Sequence, residues 1–136
     1  MTRVLLVGSD VALLEGLAQS LAGHGHSPAV ATSLAEAREI ASASPPLVLV
    51  ADRGLAGSAG AELLAIPLAA GGARVLFRTS ATPQTALLPA LQRVVLADLT
   101  LPLERLRLAA LTQSLLERAR TTGRAPRNTP PENRAL

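Results

Sequence analysis

Apolar positions in this chain alternate between short unbroken runs and longer stretches with helical spacing. Arg3–Val7 is nearly all apolar, the pattern of a strand buried on both faces of a parallel sheet. From Asp10 to Ala22, apolar side chains recur at 13, 14, 17, 18 and 21, one stripe of a helix, with Asp10 placed as its N-cap. Gly23-His24-Gly25-His26-Ser27 predicts a turn, followed by a short second strand near Ala29–Thr32. Ser33-Leu34-Ala35-Glu36 is a capping box that opens a second helix, to about Ala43. Pro45-Pro46 stops that helix and feeds a third strand, Leu47–Ala51. A Gly/Ala-rich loop then leads to a helix over Ala61–Ala70, broken by Gly71-Gly72, and to a fourth strand, Arg74–Thr79. A weak helix over Gln84–Leu91 is interrupted by Pro89, and Val94–Ala97 predicts a fifth strand. Leu103–Ala119 is a long last helix with its stripe at 103, 106, 110, 111 and 115. From Thr121 the chain is rich in Pro, Arg and Asn without periodicity, which predicts a disordered tail over 121–136 behind a single domain over 1–120.

Five apolar strands alternating with helices imply an α/β fold: a five-stranded parallel sheet with helices on both faces, because parallel neighbours need helical crossovers. Ligands of such sheets sit outside the carboxyl ends of the strands. That rule singles out Gly8, Ser9 and Asp10, then Asp52, then Thr79 and Ser80, then the residues after Ala97.

Composition narrows the chemistry. The 136 residues are 49% apolar with one Phe and no Trp or Tyr, so the core is aliphatic. Without cysteine there is no disulfide and no thiolate metal site. No run approaches the roughly 18 apolar residues of a membrane span, and no signal-peptide layout precedes the first strand, so the expected location is the cytoplasm. All 13 basic residues are arginine. Five of them, with two glutamates, fall in residues 117–136, while eight arginines meet eight acids in residues 1–116, so the net charge of +3 belongs to the tail. A mixed polar tail of this kind favours solubility over phosphate binding. Arg105, Arg107, Arg118 and Arg120 beside the last apolar stripe read as the solvated face of a core helix, with no aromatics to stack on bases. Neither nucleic acid nor membrane is an expected partner.

The segment Asp52-Arg53-Gly54-Leu55-Ala56-Gly57-Ser58-Ala59-Gly60 resembles the phosphoacceptor loop of response-regulator receiver domains, Asp-x-x-Leu-Pro-Gly-x-x-Gly, with Ala56 in place of the proline. Val4–Asp10 is similar to that family's first strand and acidic pair, and Ala31–Ala37 to the start of its second helix. Val75–Ser80 is similar to the fourth strand with its switch hydroxyl, here Thr79, and Leu101–Leu106 to the start of the fifth helix. The resemblance spans roughly residues 3–120 and implies a flavodoxin-like receiver fold. It also implies a role in two-component signalling, with a histidine kinase or another signalling protein as partner. The family's dimer and output contacts lie on the fourth-helix, fifth-strand and fifth-helix face, here rich in Ala and Leu, so homodimerisation through that face is part of the expectation.

Departures from the pattern shape the expected function. Two acids after the family's first strand help hold Mg²⁺, a hard ion that needs oxygen ligands and offsets charge as a phosphoryl group reaches the carboxylate. Those positions are Gly8 and Ser9 here, and Asp10, one residue on, reads as a helix cap. The family's lysine falls on Leu99 or Leu101, according to whether Thr100 or Pro102 is set against its cis-proline. The expectation is a degenerate receiver, not an enzyme. It would work as a phosphorylation-independent protein-interaction module with no cofactor, Asp52 being phosphoacceptor-like in position only. The alternative is a working single-domain phosphoacceptor modified on Asp52, with Asp10 a stand-in ligand for Mg²⁺. A third reading has Gly8 and Ser9 open the pocket to a small anion or nucleotide held by backbone amides. With no output domain in this sequence, the expectation is either action through a partner or a sequence that is part of a longer protein.

The remaining constellations carry less. His24 and His26 share a Gly-rich turn with no third ligand, which predicts solvated side chains and no metal site. Val7-Gly8-Ser9-Asp10 supplies a single glycine where a dinucleotide fingerprint needs three, and no Ser-His-Asp arrangement is legible.

Overall fold

The computed structural model describes residues 2–79, 89–101 and 104–128. The elements are β1 (Thr2–Val7), α1 (Val11–Gly23), β2 (His26–Ala31), α2 (Leu34–Ala43), β3 (Val48–Asp52) and α3 (Arg53–Ala65), then β4 (Ala73–Arg78), α4 (Pro89–Val94), β5 (Val95–Thr100) and α5 (Arg105–Asn128). All strand pairs are parallel, and the sheet runs β2-β1-β3-β4-β5, so the strand order reverses beside β1. This is the five-stranded flavodoxin-like architecture that the alternating pattern implies.

Two hydrophobic layers sandwich the sheet because successive strand side chains point to opposite faces. On one side Val4, Leu6, Val48, Val50, Val75, Phe77 and Leu99 pack against Leu14, Leu17 and Leu21 of α1 and Leu108 and Leu115 of α5. On the other side Leu5, Val7, Leu49, Ala51 and Leu76 meet Ala37 and Ala41 of α2, Leu63 of α3, Ile66 and Leu91 of α4. Among the described residues no helix is long and apolar enough to cross a membrane.

Local chemistry explains the boundaries. The second helix opens as its capping box predicts: the Glu36 amide donates to Ser33 Oγ (3.1 Å), while the Glu36 carboxylate accepts from the Thr32 amide (2.8 Å). Helix α3 occupies Arg53–Ala65 rather than Ala61–Ala70, so the segment read as a Gly/Ala-rich loop is helical. Asp52 caps its start, and Pro67 forces Ile66 into an extended conformation (φ −71°, ψ 122°) that ends it. Gly71 then turns the chain at φ +78°, and a Cβ on Gly72 would lie 2.8 Å from both the Ala69 and Leu47 carbonyl oxygens.

Arg74 secures the other end of α3. Its Nη2 donates to the carbonyls of Leu64 and Ile66, both at 2.9 Å, and its Nε to Leu63 at 3.4 Å. A cation thus sits where the helix dipole is negative and carbonyls lack partners. Arg74→Met is expected to lower unfolding free energy by about 2 kcal/mol, the range for bonds to a charged donor. Urea titration of the two proteins measures it.

Further boundaries differ from the sequence expectation. Pro89 begins α4 instead of interrupting a helix, because the first helical position needs no amide proton; residues 84–88 of the expected helix lie outside the described residues. Strand β5 runs on to Thr100, past the expected end at Ala97, with Asp98 inside it. Among the residues of α5 whose side chains are described, the buried positions are Leu108, Ala109, Thr112 and Leu115, while Leu106, placed on the expected stripe, is 68% exposed. Thr112 belongs to the buried stripe because its hydroxyl donates to the Leu108 carbonyl (2.9 Å), which removes the penalty of hiding it. The helix also continues to Asn128, through part of the segment expected to be disordered, since extending a formed helix needs no apolar stripe; residues 129–136 lie outside the described residues.

His26 also departs from the sequence expectation. It is the first residue of β2 rather than part of a solvated turn, and it is 4% exposed. Burial, with His24 nearby, holds its pKa below the ordinary value of 6.5. A depressed histidine binds its proton more readily in the unfolded chain. The associated stability is therefore whole above the unfolded value and lost as pH falls below it. Unfolding free energy is expected to decline from about pH 7 to about pH 5, with a shallower decline in His26→Gln. Urea midpoints across that range check the sign.

Candidate functional site

The strand ends bring Gly8 and Asp52 side by side. Val7 is in register with Ala51, so Gly8, the residue after β1, comes beside Asp52, the last residue of β3. A Cβ built on Gly8 would stand 3.5 Å from Asp52 Cβ, 3.4 Å from Phe77 Cζ and 3.6 Å from Leu14 Cδ1. The space beside Asp52 on the β1 side is thus bordered by hydrocarbon. No carboxylate projects from Gly8, and Ser9 beside it is exposed and uncharged.

Asp10 and Asp52, at this end of the sheet, both act as helix caps. The Leu13 amide donates to Asp10 Oδ1 at 3.1 Å, tying Asp10 to the first turn of α1. The Gly54 amide donates to Asp52 Oδ1 at 2.8 Å, tying Asp52 to the first turn of α3. A carboxylate is well suited to this work, because it meets amides that lack helical partners and sits at the positive end of the helix dipole.

The other expected positions fall as follows. Thr79 is half-buried just beyond β4. Leu99 and Leu101, the two candidates for the lysine position, are 0% and 2% exposed and belong to the core beneath α5. The Leu101 amide donates to the Arg78 carbonyl (2.8 Å), which fixes the chain as it leaves β5. An aliphatic side chain at either position offers no charge to an acyl phosphate.

One ion pair here was not foreseen. Arg53, the first residue of α3, pairs with Asp98 of β5, with both side chains largely shielded from solvent. Ala51, Leu76 and Asp98 lie in register across β3, β4 and β5, so the guanidinium reaches past β4 to its partner. Asp98 Oδ1 is buried with no hydrogen-bond partner among the described residues. The signal was present in the sequence: an acid within Val95–Thr100 interrupts an apolar strand and demands a cation.

Mg²⁺ is the ion that the family resemblance implies, and the donor set does not fit it. Gly8 has no side chain, Ser9 is neutral, and Asp10 and Asp52 each have an oxygen committed to a helix amide. Among the described residues no group of three or more His, Cys, Asp or Glu side chains is arranged to hold a metal ion. Hard divalent ions bind through several oxygens, commonly from carboxylates.

No protein-family model matches the sequence, and no curated protein sequence matches it. Solved structures do. A response-regulator receiver domain from Clostridium thermocellum is 13% identical, covering 90% of this chain and 99% of that one, with a TM-score of 0.63. The N-terminal domain of a response regulator/sensory box/GGDEF three-domain protein from Carboxydothermus hydrogenoformans is 15% identical over 89% of this chain and 98% of that chain, with a TM-score of 0.68. NtrX from Brucella abortus is 20% identical with a TM-score of 0.68, and the match covers 90% of this chain but 28% of that longer one. Likeness at such identities concerns fold: this chain folds as response-regulator receiver domains do.

Proposed function

We propose that this chain is a receiver-fold signalling module that engages a protein partner without phosphoryl transfer to Asp52. The observation that carries this reading is the use of Asp52 as the N-cap of α3, beside Gly8, Phe77 and Leu14 instead of a second carboxylate. On this reading the module is not an enzyme and needs no Mg²⁺, and its partner is a histidine kinase or another signalling protein. The working surface is α4, β5 and α5. Val94 of α4 and Leu96 of β5 are 45% and 44% exposed, and Leu106 of α5 is more so. Exposed aliphatic groups on neighbouring elements, with arginines at their margins, suit a protein surface that buries hydrocarbon and offers carboxylates. The same face serves self-association if the partner is a second copy.

Affinity capture with the intact protein, Asp52→Ala and Leu96→Arg tests the reading. Asp52→Ala is expected to retain the partner set of the unmodified protein, and Leu96→Arg to lose it. Loss of the partners in Asp52→Ala alone, with its fold intact, contradicts the reading and favours a phosphoacceptor role.

A further inference from the structure

Strand β5 is an edge of the sheet and, among the described residues, pairs with β4 alone. Its ladder is interrupted near the start. Arg74 is in register with Val95 and Val75 with Ala97, so Leu96 is the extra residue of a β-bulge. The side chains report the same break. Val95 packs with the layer of α2, α3 and α4, whereas Ala97 and Leu99 pack with the layer of α1 and α5. Residues two apart on a regular strand share a face, so the strand has gained a residue between 95 and 97. Leu96, left out of the ladder, is exposed. We propose that the Arg53–Asp98 ion pair is a tether that fixes this bulge, which makes Arg53 a positioning residue for Leu96 on the partner surface. The proposal rests on the reading of that surface given above.

The geometry ties the pair to the bulge. Ala97 and Leu99 face the α1–α5 layer, so Asp98 between them faces the α3 side, in register with Leu76. There Arg53, at the start of α3, reaches across β4 to hold it. An edge strand with a broken ladder opens locally at low cost, and the pair anchors it two residues past the break. Ordinary stabilisation is a poor account of such a pair. Desolvating two charges offsets much of their attraction, and Asp98 Oδ1 is buried without a hydrogen-bond partner among the described residues. What a shielded pair supplies instead is a single allowed arrangement of the elements it joins.

Hydrogen exchange read by NMR, with denaturant unfolding alongside, tests the tether in the full chain. The proteins compared are the unmodified one, Asp98→Asn, and the double substitution Arg53→Met with Asp98→Leu. Apolar side chains can replace a shielded ion pair without loss of stability, so the double variant is expected to unfold at a denaturant concentration no lower than the unmodified protein. Its Leu96 and Ala97 amides should nevertheless exchange about ten-fold faster relative to those of β3, because local opening is no longer restrained. Asp98→Asn keeps the size of the side chain and drops its charge. It should show the same acceleration, and it decides the matter if the double variant does not fold. A pair with a merely structural role predicts that exchange in the double variant recovers together with stability. That result, or unaltered exchange in Asp98→Asn, would overturn the proposal. Affinity capture supplies the link to Leu96: the partners that Leu96→Arg loses are expected to be depleted in the double variant, and their full retention there would also overturn it. If Leu96→Arg loses no partner, the reading of the surface fails by itself, and the exchange rates still decide the tether.

Discussion

Incubation with acetyl phosphate and Mg²⁺ is expected to leave Asp52 unmodified, with intact-mass spectra of the treated and untreated protein superimposing. Charge decides this outcome. A phosphoryl group arriving at a carboxylate brings negative charge that a metal ion and a nearby cation must offset. At this site Gly8 contributes no side chain, Ser9 is neutral, and Leu99 and Leu101 are buried hydrocarbon. Asp52 Oδ1 also accepts the Gly54 amide, so phosphorylation of that oxygen would disturb the cap of α3. Arg53 is the cation nearest in sequence, and its guanidinium is paired with Asp98 across the sheet. An adduct mapped to Asp52 would show that the site recruits charge in another way, and the proposed function would then give way to a phosphoacceptor role.

Phe77→Ala is expected to be the most damaging core substitution. Phe77 is the chain's single aromatic residue, 1% exposed, and it packs in the layer beneath α1 and α5. Truncation removes its transfer free energy and leaves a cavity, which together amount to about 3–5 kcal/mol. Domains of this size have total stabilities of about 5–15 kcal/mol, so a large fraction of the total stability is at stake. Phe77→Leu keeps much of the volume and should lose markedly less, about 1–2 kcal/mol. Denaturant unfolding of both variants checks the order. Because Phe77 Cζ also borders the space above Gly8, the same residue links the stability of the core to the shape of the site.

Much of the architecture was legible because strand signals here are strong. Val4–Val7 and Leu47–Ala51 are unbroken apolar runs, and Ser33 and Glu36 announce a helix start at the place where it occurs. The site was legible in part, since the uncharged Gly8 and Ser9 after β1 and the leucines at 99 and 101 can be read directly. Other features depended on contacts distant in sequence. Nothing local tells that Arg53 reaches Asp98 on β5, and that pairing is what allows an acid to sit inside a strand. Thr112 looks polar until its hydroxyl is bonded to Leu108, which moves the buried stripe of α5 away from Leu106. Glycine and alanine between residues 54 and 60 carry the composition of a loop, whereas the cap at Asp52 and the stop before Pro67 govern the extent of α3. The strand position of His26 is not legible locally, because strand formation there depends on pairing with Thr2, which periodicity does not reveal.

The central claim is that Asp52 holds a helix in place and does not serve a metal-assisted transfer. Its most direct test is the proton–nitrogen NMR signal of the Gly54 amide, the group bonded to Asp52 Oδ1, during titration with Mg²⁺ and then with beryllofluoride. This signal is expected to stay in place throughout, and a saturable shift on adding either reagent would show that Asp52 serves metal-assisted transfer instead.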